Sequence, residues 1–179
     1  MLAPVNGLEI DAMITSNRLE RMIDRLTAQR DLLARAIELV GDLPGPVLEF
    51  GLGKGRTYDF LRERLPGREI FAFDRELHCP SDCVPDAAHL LLGDFRDTVP
   101  GALAHIGAAA ALAHFDVGTE DRAADAALVA WLGPAAAPLL RPGGVVVADR
   151  EMRVAGWTPA PLDATLGDRR HYLYRIDRL

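Results

Sequence analysis

Seven residues, Glu49-Phe50-Gly51-Leu52-Gly53-Lys54-Gly55, combine an acid with three glycines on alternate positions. A backbone without Cβ atoms can turn tightly and lets a ligand lie close against the main chain. The run follows the apolar pair Val47-Leu48 and precedes a helix-like segment from Arg56 to Leu65, so it reads as a strand-to-helix turn. A phosphate-cradling loop needs four residues between its first glycine and a Gly-Lys pair, then Ser or Thr. Here Gly55 follows Lys54, and that chemistry is excluded. A dinucleotide turn needs G-x-G-x-x-G, and Arg56 stands where the third glycine belongs. An acid ahead of the glycines would repel a pyrophosphate and suits a ligand that carries positive charge.

More acids recur at regular places. Asp74 ends Phe71-Ala72-Phe73-Asp74, 19 residues beyond Gly55, and can accept from both hydroxyls of a ribose. Asp94 follows Leu91-Leu92-Gly93 and can accept from an adenine amino group while Phe95 or Leu92 packs on the ring. Asp116 follows His114-Phe115, and Asp149 follows Val145 to Ala148 and precedes Arg150. Polar loops and helix caps account for any single one of these. Five in register point to one shared site.

The elements that must position these acids alternate. Strands are expected at Val47–Phe50, Glu69–Phe73, His89–Leu92, Ala108–Phe115 and Val145–Ala148. Helices are expected at Thr57–Leu65, Asp97–Ile106 and from Glu120 through Leu132 in broken form to Leu140, with a turn at Arg141-Pro142-Gly143-Gly144. Pro80 and Pro85 keep Leu77 to His89 from forming a long helix. Ahead of these, apolar Leu19, Met22, Ile23, Leu26, Leu33, Ile37 and Val40 recur at helical spacing, with Ser16 or Asn17 as N-cap and Gly41 as stop. His171 to Ile176 alternates as an antiparallel closing strand would. Alternating strands and helices imply a parallel sheet covered on both faces, with ligands beyond the carboxyl ends of its strands.

From Val47 to Arg150 the chain resembles the class I S-adenosylmethionine (SAM)-dependent methyltransferases, whose first motif is E-x-G-x-G-x-G. It also looks like a small bacterial group of SAM methyltransferases. The resemblance implies an α/β fold: a Rossmann-like, doubly wound, mostly parallel sheet in three α/β/α layers, here with an N-terminal amphipathic helix. One domain spans 1–179, with a helical segment at 1–43, a SAM-binding core at 44–150 and a closing-strand region at 151–179. By the same resemblance Glu49, Phe50, Gly51, Gly53 and Gly55 cradle the methionine part, with Arg56 or Thr57 donating to its carboxylate. Asp74 with Arg75 holds the ribose, Gly93, Asp94 and Phe95 the adenine, and Asp116 closes the cofactor site. Two closing strands are usual in the family, and only one is evident here.

Methyl transfer is a displacement at a sulfonium methyl, and positioning alone can supply much of the rate. A base is needed only when the acceptor carries a proton to lose. Asp116 and Asp149 are the candidates, with His114 and His78 behind them. Both acids also suggest an alternative, the metal-dependent catechol-type O-methyltransferases, in which acids after strands four and five and an adjacent Asn hold a divalent ion. Arg150 replaces that Asn, and a guanidinium cannot ligate a metal, so no metal is expected. A second alternative is a SAM-binding protein without catalysis.

Composition sets the outer bounds. With 179 residues, 49% of them apolar, the chain can bury one sizeable core. A net charge of −6 argues against nucleic acid as partner. Met1 to Ile10 lack a basic start and a long apolar run, and no stretch is long and apolar enough to span a membrane. The expectation is a cytoplasmic enzyme with a small-molecule substrate. His78, Cys79 and Cys83 offer three soft ligands, one short of a structural zinc site, and a reduced loop pair is expected. The pocket roof is expected from the N-terminal helix, the Leu77 to His89 loop, Trp157 to Leu166 or a second subunit, which favours a homodimer.

Overall fold

A computed structural model describes residues 17–119, 121–162 and 171–177. Helix α1 runs Arg18–Val40. It starts on a capping box: the Asn17 side chain accepts from the Glu20 N–H, and the Glu20 carboxylate accepts from the Asn17 N–H. Such a box satisfies two amide groups that a helix start leaves open. The core then alternates β1 (Val47–Phe50), α2 (Arg56–Arg64), β2 (Ile70–Asp74), β3 (Leu90–Leu92), the short helices α3 (Phe95–Thr98) and α4 (Ala102–Ile106), β4 (Ala110–Phe115), α5 (Arg122–Ala136) and β5 (Leu140–Ala148). Two further strands close the sheet, β6 (Trp157–Pro159) and β7 (Tyr172–Ile176).

The strand order is β3-β2-β1-β4-β5-β7-β6. The first five strands pair in parallel, and β7 is antiparallel to both β5 and β6. Strand order reverses between β1 and β4, which opens a crevice at their carboxyl ends. Side-chain alternation sorts the sheet into two apolar faces. Val47, Ile70, Leu112, Val145, Val147 and Leu173 pack with Leu32, Leu33 and Leu61 of α1 and α2. Leu48, Phe50, Phe73, Phe115 and Val146 pack with Val99, Ile106, Val129 and Leu132 on the other side. The result is three layers around a sheet that is covered on both faces.

Three sequence expectations change. The segment expected as one helix over Asp97–Ile106 forms two short helices, since Pro100 interrupts the ladder between them. Arg141 to Gly144 lie inside β5 instead of forming a separate turn. There β5 advances from Leu140 to Val145 while β4 advances only from Ala110 to Leu112, so the extra residues form an irregularity in the ladder. The second closing strand, unseen in the sequence, is Trp157–Pro159, too short to show a period of its own. Its Trp157 is buried against Phe115 and Tyr174 rather than lining an open pocket. Of the Trp157–Leu166 segment, residues 163–166 lie outside the described residues, as does Glu120.

Two glycines of the β1–α2 turn differ in what surrounds them. Gly51 has φ +90°, and a Cβ there would stand 2.2 Å from the Asp116 carbonyl oxygen of the neighbouring loop. Gly53 has φ +49°, with nothing within 4 Å of the same position. Gly51→Ala should therefore lose about 3 kcal/mol or more of unfolding free energy, combining strain with a backbone clash, and Gly53→Ala about 1 kcal/mol. Urea titrations of the two variants check this. Equal losses would show that the Gly51 approach is not constraining.

Candidate functional site

The ends of β1, β2, β3 and β4 bring the glycine turn and the acids together. The Gly53 N–H donates to Asp74 Oδ2 at 2.8 Å, and the Glu76 N–H donates weakly to Oδ1 at 3.3 Å. Gly51 donates to Phe73 O, and Gly93 donates to Asp74 O, so β2 orients both glycine turns. Asp94 caps α3 by accepting from the Arg96 N–H, and its other oxygen lies 3.3 Å from Arg75. Its carboxylate therefore already has two partners, a use the sequence did not reveal. Phe95 is drawn into the core edge-on to Phe50, while Leu92 remains half exposed.

Several side chains expected to meet a ligand are committed inward. Phe50 is fully buried, stacked between Phe73 and Phe115 at centroid distances of 4.5 and 4.4 Å, so only its main chain borders the crevice. Glu49 is also fully buried. One of its oxygens accepts from the Thr57 hydroxyl and the other meets His114 Nδ1 at 2.9 Å. Thr57 thus donates to Glu49 and not to a cofactor carboxylate. The cause is position: Glu49 and His114 are direct register partners on β1 and β4, and alternation aims both toward α1. Arg56 begins α2 beside an open depression of about 670 Å³ whose wall includes Lys54, His78, Cys79 and Cys83. Both cysteines are free and half-buried.

From His114 the polar chain continues to Asp116. Gln29 on α1 donates to Asp116 Oδ2 at 2.8 Å and reaches His114 Nε2 at 3.4 Å. Arg25 approaches the other Asp116 oxygen at 3.7 Å. Asp116 keeps about a quarter of its side chain exposed, so it is held from behind and open in front. His114 is completely buried. Burial alone pulls its pKa down, but the Glu49 carboxylate, with Asp116 and Asp149 beyond it, holds it above the ordinary histidine value. With both ring nitrogens engaged and no access, His114 is a structural tie rather than a base.

Asp149 also departs from expectation. Its oxygens accept from the Val117 and Gly118 N–H groups, and Arg150 Nη1 lies 3.1 Å away. Burial and the nearby Asp116 charge push its pKa up despite these donors. Arg150 bridges Asp149 to buried Asp125 rather than to Asp116, and Asp125 in turn accepts from Thr119. These contacts brace the loop after β4. A guanidinium stands against Asp149, where a catechol-type site would place its ion. Among the described residues no three His, Cys, Asp or Glu side chains converge as metal ligands.

Sequence reasoning missed Gln29 and His171. Gln29 interrupts the apolar stripe of α1 between Leu26 and Leu33, and a polar residue on a buried face was its available signal. His171 precedes β7 and is 7% exposed. It shares the alternation of Leu173, which packs on the α1 face.

A family model described as S-adenosyl-L-methionine methyltransferase matches residues 16–176. The crystal structure of an S-adenosyl-L-methionine methyl transferase from Silicibacter pomeroyi DSS-3 is 38% identical, with a TM-score of 0.83 over 90% of this chain and 99% of that one. Two more distant structures share the fold. CalS11, a TDP-rhamnose 3'-O-methyltransferase of calicheamicin biosynthesis, is 23% identical, with a TM-score of 0.56 over 89% of this chain and 81% of that one. The sugar N-methyltransferase KedS8 from Streptoalloteichus sp. ATCC 53650 is 17% identical, with a TM-score of 0.51 over 92% and 67%. No curated protein matches the sequence significantly. A family match over nearly the whole length, joined to the Silicibacter likeness, places this chain in the S-adenosyl-L-methionine methyltransferase family.

Proposed function

We propose that the crevice between β1 and β4 holds SAM and that Asp116 faces a small-molecule methyl acceptor. The observation that carries this reading is the Gly53–Asp74 hydrogen bond. It joins the glycine turn to the acid of β2 while leaving open space over Gly53, a cradle suited to a ligand with a ribose. Gly51, Gly53 and Gly55 line the methionine end, Asp74 with Arg75 the ribose, and Gly93 with Asp94 the adenine. Bound SAM supplies an electrophilic methyl group. The chain supplies placement, exclusion of water and, for a protonated acceptor, a proton acceptor. Asp116 takes that last role because Gln29 and Arg25 hold it from behind while its front stays exposed. Asp149 braces the adjoining loop.

The same proposal includes a single domain over 1–179, a cytoplasmic setting and a homodimer. Two free thiols support a reducing compartment. Leu19, Met22 and Ile23 stand exposed on the first turns of α1 and support association through that helix. No helix among the described residues is long and apolar enough to cross a membrane.

Two outcomes test this site. Asp74→Ala should bind S-adenosylhomocysteine about 10- to 100-fold more weakly, the scale of hydrogen bonds to a charged group, with its folded circular dichroism spectrum retained. Calorimetry showing unchanged affinity would remove the ribose assignment. The second outcome concerns pH. Burial depresses the pKa of His171 to about 4, against a smaller upward pull from Asp116, while His114, Arg25 and Arg150 push it further down. The unfolded chain takes up this proton near 6.5 and the folded chain near 4. Protonation of this group therefore favours the unfolded chain: it costs nothing above pH 6.5, and up to roughly 3 kcal/mol of stability is lost as pH falls toward 4. Urea unfolding between pH 4 and 7 should show a flatter slope for His171→Asn than for the parent, and identical slopes would contradict the assignment.

A further inference from the structure

His171 Nε2 is the one buried side-chain nitrogen or oxygen among the described residues that has no hydrogen-bond partner. An unsatisfied buried polar atom costs about 1–3 kcal/mol, and native folds keep such atoms chiefly where something else satisfies them. The position is informative. Ala148 pairs with Tyr172, so His171 lies one step further, beside Asp149 at the carboxyl end of β5. The Asp149 N–H donates to Phe115 O, which continues the ladder to β4 and sets Asp116 on the same rung. His171, Asp149 and Asp116 thus cross the end of three neighbouring strands, spanning about 10 Å at ordinary strand spacing. Arg25 and Gln29 of α1 face Asp116, and the charges of Asp116, His114, Arg25 and Arg150 all reach His171. The imidazole therefore borders the face where the acceptor is placed.

Its chemistry narrows the acceptor. In the tautomer protonated at Nε2, a hydroxyl oxygen accepts from the imidazole and keeps its own proton free for Asp116. An aliphatic amine arrives as an ammonium ion, and the burial and the His114, Arg25 and Arg150 charges that hold His171 neutral also disfavour that cation here. Resting on the SAM site proposed above, we propose that His171 binds a hydroxyl of the acceptor, making this an O-methyltransferase for a neutral alcohol or phenol. In that reaction the acceptor oxygen forms a bond to the methyl carbon while the sulfur–methyl bond breaks, its electron pair staying on sulfur. The hydroxyl proton passes to Asp116, and the products are an ether and the neutral thioether S-adenosylhomocysteine. His171 sets which acceptor is held; Asp116 takes the proton.

The test uses the full chain saturated with S-adenosylhomocysteine, phenol and benzyl alcohol as probes, and benzylamine as a cation of similar size. The His171 imidazole ¹⁵N resonances should move with the hydroxyl probes and not with benzylamine. His171→Leu should bind the hydroxyl probes at least about 10-fold more weakly, keep S-adenosylhomocysteine affinity within about twofold, and be no less stable, since it removes an unpartnered polar atom. His171→Asn, which restores a hydrogen-bonding group, should recover part of the probe binding. Unmoved resonances with both hydroxyl probes, or a His171→Leu protein that is less stable yet binds them unchanged, would overturn the assignment and leave His171 a packing residue. Failure of the parent chain to bind S-adenosylhomocysteine would instead defeat the cofactor reading beneath it.

Discussion

Two ionisable side chains, Glu49 and His114, lie fully buried against each other on the two strands where sheet order reverses. Removing one partner of such a pair strands the other in a poorly solvating interior, which costs several kcal/mol. The pair is therefore a constraint on everything that touches it. Thr57 completes the second Glu49 oxygen and so fixes the start of α2 against β1. Gln29 connects His114 to Asp116 and so fixes the middle of α1 over the end of β4. Both helices of one layer are thus keyed to a single polar rung, and the glycine turn lies between them. The acid of the glycine motif acts here mainly on the protein itself.

The opposite face is organised by apolar contact. Phe50 neighbours Glu49 in sequence, points the other way, and stacks between Phe73 and Phe115. Alternation along β1 therefore gives one strand a polar tie on the α1 side and an aromatic stack on the α5 side. Between them they fix the height at which β1 and β4 end, and hence the depth of the crevice. The loop after β4 is then held from a third direction by Asp149, Arg150 and Asp125. Asp116 emerges from this framework with its back secured and its front open.

Much of this was legible in the sequence because it follows local rules. The glycine spacing, the Asn17 cap and the acid after each parallel strand are local signals, and the strands and helices they imply are present. Pro100 and the Arg141 to Gly144 run misled for a related reason: proline and glycine announce irregularity but not whether a ladder continues around it. The inward use of Glu49, Phe50 and Thr57 was hidden because a motif names residue types, whereas register decides which face each side chain takes. Gln29 and His171 were hidden because their roles depend on partners 87 residues away or on having no partner at all. Trp157 was legible as an aromatic and not as a strand residue, since three residues carry no period.

A double-mutant cycle on Glu49→Leu and His114→Leu, read as unfolding free energy in urea, tests the central constraint most directly. Thr57 and Gln29 each lose one partner in a single variant and in the double variant alike, so their costs cancel. The account predicts that each single change costs about 3–5 kcal/mol and that the double change costs at least about 2 kcal/mol less than the sum. Losses that add to within about 0.5 kcal/mol would show that the two side chains do not act as a unit, and the rung would not be what keys α1 and α2 to the crevice.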